Sequence, residues 1–242
     1  MAIQFFTLPI LRTVDEAPDV RTFLFDIPEG LSWQSGAHLH VGLPGFRAGG
    51  ERHPELVRHM SICTLPEEGA LGFTTRLTSS DSDFKRTLRR MGADDELTLF
   101  KFGSVLTIPD DGRPVALLSQ GVGIASMRPL VVDFARRRAE GGFARVPAVT
   151  SITVDAAEQG IYTNEFDALH ADGLTLERVA HRGDFEAAVR ALPHPTETLF
   201  EVVGSDAFLR STIALLHSLD VADDQIVLDK NEMKRAPFFE EA

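Results

Sequence analysis

PVALLSQGVGIASM, residues 114–127, runs an unbroken apolar segment into a glycine-rich turn and then into a helical repeat. An apolar run without alternation reads as a strand buried on both faces, as a parallel sheet requires. Gly121 and Gly123 let the backbone turn tightly and come close to a ligand. The helix that follows, IASMRPLVVDFARRRAEGG, is amphipathic and stops at Gly141. Downstream the rhythm repeats. VTSITV, LTLERVA, TLFEVVG and DQIVLD read as strands, with TNEFDALHADG, DFEAAVRAL and SDAFLRSTIALLHSLD as the helices between them. Strict alternation of this kind predicts an α/β doubly wound parallel sheet.

Upstream the period changes. IQFFTLPILRTV, VRTFLFDI, AHLHVGL, RHMSICTL, LGFTTRL and ELTLFKF are short strand-like runs bounded by Gly, Pro or acidic residues. A single helix interrupts them, SDFKRTLRRM at 82–91, with Ser82 placed as its N-cap and Phe84, Leu88 and Met91 on one face. These elements predict a small antiparallel β-barrel. PDDGRP at 109–114 is the hinge between the halves, so the expected domains are 1–110 and 111–242.

Bulk properties narrow the function classes. The 242 residues are 43% hydrophobic, enough for two cores. A net charge of −12 argues against a nucleic-acid surface, which needs clustered cations. The single cysteine, Cys63, excludes a disulfide framework and a cysteine-ligated iron–sulfur cluster within this chain. No apolar run reaches membrane-spanning length and the first residues lack a signal-peptide pattern, so the expectation is a cytoplasmic protein.

Several stretches carry possible chemistry. The turn Gly121-Val122-Gly123-Ile124, with Ser126 two residues on, opens a helix whose free amides and dipole favour an anion. Arg58 and Ser61 sit in one short strand on opposite faces of the pleat. SDFK at 82–85 matches the S-x-x-K of serine β-lactamases, but S-D-N and K-T-G are both missing. His38 and His40 lie two apart on one strand face without an evident third ligand, so no metal is expected.

In order and spacing these pieces resemble the ferredoxin–NADP reductase superfamily. They are most similar to its bacterial FAD-dependent oxidoreductases, whose motifs run R-x-(aromatic)-S-I, S-x-F-K-x-x-L, G-x-F and G-G-I-G-I-T-P. Here these stand as Arg58-His59-Met60-Ser61-Ile62, Ser82-Asp83-Phe84-Lys85-Arg86-Thr87-Leu88, Phe102-Gly103-Ser104-Val105-Leu106 and Gly121-Val122-Gly123-Ile124-Ala125-Ser126. The resemblance implies a flavin-binding barrel followed by an NAD(P)-binding sheet, with FAD rather than FMN as cofactor. It matches Arg58 to the cofactor's phosphate, Met60 to the ring face and Ser61 to flavin N5, the catalytic position. Ile62, Phe84, Ser82 and Lys85 complete that site, the last two at the pyrophosphate. Gly121, Gly123, Ile124, Ser126, Gly204 and Ser205 would hold the nicotinamide nucleotide. The implied activity passes electrons from NADH or NADPH through FAD to a separate acceptor, a protein or a small molecule.

Departures from the pattern leave alternatives open. Met60 replaces an aromatic ring, Ala125 and Ser126 replace Thr and Pro, and Val203-Gly204-Ser205-Asp206 replaces C-G-P-P. Asp206 adds a negative charge near a phosphate site, and Glu232 with Phe238-Phe239 only loosely echoes the family's terminal segment. A non-catalytic flavin-binding or regulatory descendant, or an α/β binding protein without flavin, would also fit. SITVDAAEQG, 151–160, has no Arg or Lys for a 2′-phosphate, and Asp155 suits a free ribose hydroxyl, which favours NADH.

Overall fold

A computed structural model describes residues 3–50, 53–78, 82–157, 160–230 and 232–240 of the chain. It divides into two compact units, Met1–Ser104 and Val105–Ala242.

The first unit contains β1 (Phe5–Pro9), β2 (Arg12–Ala17), β3 (Val20–Phe25), β4 (Ala37–Gly42), β5 (Val57–Ser61), β6 (Leu71–Arg76), α1 (Asp83–Arg90) and β7 (Glu96–Ser104). Its two antiparallel sheets have the orders β1-β7-β4-β5 and β2-β3-β6. The run 3–14 reads as one strand in the sequence but forms two. The Ile10 N–H donates to the Asp95 carbonyl beside β7, and the next amide, Leu11, donates to Leu24 of β3, both at 2.8 Å. The chain therefore changes sheets within two residues. A second corner follows β5, where Ile62 N–H bonds Ala37 (2.8 Å) and Cys63 N–H bonds Gly72 (2.9 Å). That corner ends the strand predicted over RHMSICTL at Ser61. The two corners join the sheets around a core that includes Phe23, Phe25, Leu39, Phe73 and Phe84.

The second unit contains β8 (Val115–Gln120), α2 (Ile124–Ala139), β9 (Val149–Val154), α3 (Thr163–Ala168), β10 (Leu174–Val179), α4 (Arg182–Arg190), β11 (Leu199–Val203), α5 (Asp206–His217), β12 (Ile226–Leu228) and α6 (Glu232–Glu240). Its sheet is parallel throughout, in the order β10-β9-β8-β11-β12. The chain winds outward from β8 to β10, then returns to β11 on the other side of β8. Strand order thus reverses between β8 and β11, the position where such sheets bind ligands at their carboxyl ends. Ala116, Leu118, Phe200 and Val202 pack with Phe185 of α4 and Phe208 of α5 on one face. The α3 helix stops at Ala168, short of the predicted 163–173. Helix α6 has no counterpart in the sequence reading; its Phe238 is buried between the cations Arg210 and Lys230, 5.0 and 5.6 Å from the ring centre.

Candidate functional site

In the first unit, β5 and the start of α1 bring two cations together. Arg58 Nη1 donates to the carbonyls of Glu55 (2.9 Å) and Val57 (2.7 Å), and the guanidinium carbon lies 5.2 Å from the centre of the Phe84 ring. Phe84 is wholly buried and so acts as a fixed platform. Ser82 caps α1, its Oγ accepting the Lys85 N–H at 3.4 Å. The Lys85 side chain runs into the protein, where Nζ donates to the Arg76 carbonyl (2.8 Å) and to Thr75 Oγ1. Burial, followed by the neighbouring Arg58 charge, brings the Lys85 ammonium down to about 8. Two like charges beside the amides of a helix start raise the local potential, and an anion there would relieve the repulsion. This donor set fits a pyrophosphate.

Register sorts the remaining barrel residues by face. Met60 stands opposite Leu39 and packs against the barrel core, whereas Ser61 stands opposite His38 on the other face. Ile62 is only 1% exposed and belongs to the core, like Phe84. Around Ser61 the two histidines read on one face of β4, His38 and His40, are joined by His59 of β5, which the sequence reading did not place with them. The His38 ring centre is 4.3 Å from that of His59, which stands edge-on to His40 at 5.5 Å. Gly103 makes room for this row, since a Cβ there would lie 2.8 Å from His38 Nε2. Burial, then the charges of Lys101 and His38, lower the pKa of His40. Among the described residues no group of three or more His, Cys, Asp or Glu stands where it could hold a metal ion.

In the second unit the glycine turn meets the end of β11. Gly121 has φ of +53°, a conformation glycine adopts without strain. A Cβ on Gly123 would fall 2.8 Å from the Val203 carbonyl oxygen, so the turn depends on a bare backbone there. Ser205 caps α5 through the Phe208 N–H (3.3 Å) and donates to Gln120 Oε1 (2.8 Å), which ties the ends of β8 and β11 together. Gly121, Gly123, Gly204 and Ser205 therefore converge at the strand-order reversal. Ile124 and Ser126 are buried inside the first turn of α2. The negative charge of Asp206 is paired with Lys230 Nζ at 3.0 Å, a partner 24 residues away that no local motif indicates.

Asp155, at the end of β9, accepts the Ala157 N–H at 3.1 Å. Arg178 of β10 donates to the Ala157 carbonyl at 3.1 Å, so a guanidinium does reach the loop that lacks its own Arg or Lys. Only the pairing of β9 with β10 places it there.

No family model and no curated protein sequence matches the chain. Solved structures do. A ferredoxin NADP+ reductase from Neisseria gonorrhoeae, solved with bound FAD and NADP, is 17% identical with a TM-score of 0.74, over 93% of this chain and 98% of its own. The Amycolatopsis cytochrome P450 reductase GcoB is 18% identical with a TM-score of 0.70, over 94% of this chain and 70% of its own. The chain has the ferredoxin–NADP reductase fold. The FAD/NAD-binding domain of nitric oxide dioxygenase from Vibrio cholerae shares the ferredoxin–NADP reductase fold at 17% identity and a TM-score of 0.67, covering 92% of this chain and 97% of its own. At such identities the likeness is one of backbone, and the chemistry must be argued from the side chains. Among the described residues no helix is long and apolar enough to cross a membrane.

Proposed function

We propose that the chain is a flavin-dependent oxidoreductase that passes electrons from NAD(P)H through FAD to a separate protein or small-molecule acceptor. The observation that carries this reading is the placing of Arg58 and Lys85 beside the capped start of α1, within a reductase-fold barrel whose β5 ends in Ser61. Arg58, the α1 amides and the Lys85 charge hold the cofactor's pyrophosphate. The flavin ring would lie on the Ser61 face of β5, with Met60 behind it against the barrel core. The Ser61 hydroxyl would hydrogen-bond flavin N5, and His38, its cross-strand partner, could accept the proton that N5 sheds as electrons leave. When bound, FAD would supply the chemistry of hydride acceptance and electron release.

The second unit binds the dinucleotide at the reversal point, with Gly121, Gly123, Gly204 and Ser205 around its phosphates. NADH is the preferred donor, because Asp155 accepts from a ribose hydroxyl and repels a 2′-phosphate. One cysteine cannot ligate an iron–sulfur cluster within this chain, which is why the acceptor is taken as a separate protein or small molecule.

The test is anaerobic addition of NADH or NADPH to flavin-loaded protein. Bleaching of the flavin's visible absorbance within seconds is expected. Stoichiometric flavin that neither nucleotide bleaches would instead support a flavin-binding descendant without reductase activity, and absence of flavin binding would refute both readings.

A further inference from the structure

Strand β7 is bulged where it passes His38. His40 of β4 pairs with Phe100, but His38 pairs with Gly103 and not with Phe102, so the one residue between them on β4 faces two on β7. Lys101, the first of those two, takes a left-handed φ of +51°, which a long side chain adopts only when its surroundings hold it there. In unbroken register Phe102 would stand against His38. The bulge turns Phe102 to the barrel core and puts a bare glycine opposite instead. A Cβ on Gly103 would lie 2.8 Å from His38 Nε2. The strain therefore opens one space, and the His38 imidazole fills it.

The imidazoles on this face lead toward solvent. His38 is half-buried beside its cross-strand partner Ser61, whereas His59, on the same face of β5 as Ser61, is exposed. The two ring centres are 4.3 Å apart, within reach of proton transfer directly or through one water. His40 offers no competing route. Its ring bonds the Lys101 backbone, and burial, then the charges of Lys101 and His38, lower its affinity for a proton. It stands edge-on to His59, with ring planes at 86°, and walls that ring on the side away from His38.

Resting on the reductase reading above, we infer that His59 is the exit relay for the flavin N5 proton, taking it from His38 and releasing it to solvent, and that the bulge at Lys101 seats His38 for this handover. Loss of two electrons to the acceptor and one proton from N5 returns reduced flavin to its oxidised state. The N5–H bond breaks, an N–H bond forms on His38, and a proton then moves from the His38 ring to His59 and on to water. His59 acts through His38 and needs no contact with the cofactor.

The test is stopped-flow reoxidation of the flavin-loaded full chain, reduced with dithionite and mixed with ferricyanide. His59→Gln, at an exposed position, should slow reoxidation about tenfold or more, and free imidazole should restore it to within about twofold of the parent. Its affinity for FAD should match the parent's. Gly103→Ala, which displaces His38, should slow reoxidation by a similar factor. In the flavin-free chain, nitrogen NMR spectra should show the His38 ring resonances moved in His59→Gln, the direct sign that the two rings interact. Unaltered reoxidation in either variant would overturn the inference. So would slowing in His59→Gln that imidazole fails to rescue, or that comes with weakened FAD binding, since either marks His59 as structural. Unmoved His38 resonances would remove the contact on which the handover depends. Flavin that NADH and NADPH both fail to bleach would remove the reductase reading, whereas the dithionite experiment judges the relay by itself.

Discussion

Glu201 places a carboxyl in the middle of β11 with no exposed surface. Its Oε1 accepts the Thr107 N–H at 2.6 Å, while Oε2 is buried without a hydrogen-bond partner. Burial pushes the acid up strongly, the Thr107 bond opposes this, and the charge of Asp229 adds to it, leaving the group at about 8. Leu117 of β8 and Val227 of β12 flank it in the sheet. The folded protein therefore keeps a proton that the unfolded chain releases above the ordinary glutamate range. Stability should fall as pH rises from about 4.5 to about 8, by at most about 1.4 kcal/mol per pH unit, and level off beyond. Glu201→Gln removes this titration, so its stability relative to the parent should grow with pH across that window. Urea unfolding at pH 5, 7 and 8.5 would check this, and parallel profiles for the two proteins would refute it. Nothing in TLFEVVG marks this acid as buried. Its burial depends on a segment 94 residues earlier in the chain.

Helix α1 shows how much an element's sequence reveals. Its N-cap and its buried face were legible from SDFKRTLRRM, because capping and periodicity are local. The course of the Lys85 side chain was not, since Thr75 and the Arg76 carbonyl belong to β6 and only tertiary folding presents them. Strand corners follow the same logic: the alternation in IQFFTLPILRTV continues across Ile10 and Leu11, although the two amides bond different sheets. Helix α6 was missed because Pro237 and a charged sequence hide a helix that is fixed by burial of Phe238. The position of Lys85 has a consequence for cofactor binding. Its charge is present below about 8 and lost above it, so affinity for FAD should weaken as pH rises from 7 to 9.5. Lys85→Arg keeps its charge throughout and should show a flat profile over that range. Energy transfer from Trp33, the chain's single tryptophan, to bound flavin measures both. A pH-independent affinity in the parent would show that the Lys85 charge is not felt at the cofactor site.

At the scale of the molecule, each unit has a core cluster of its own: one draws on positions from Ile10 to Leu99, another on positions from Ala116 to Phe238. Each unit can therefore bury its own apolar surface, the condition for independent folding. Composition and punctuation place the boundary after residue 110, since PDDGRP is the most turn-rich stretch near the change of period. Contacts divide the chain after Ser104, and the segment between holds Leu106 and Ile108, 1% and 6% exposed, around Thr107. A fragment spanning 105–242 keeps the Thr107 amide on Glu201; one spanning 111–242 strips it away and leaves a second carboxyl oxygen without its partner. Losing that bond costs about 1–3 kcal/mol in a buried setting. The longer fragment should therefore unfold cooperatively in urea at a higher midpoint than the shorter, followed by circular dichroism at neutral pH. Equal midpoints would place the functional boundary at residue 110 and make the clasp on Thr107 incidental to the stability of the sheet. A longer fragment that fails to unfold cooperatively would show that the second unit needs the barrel to complete its core.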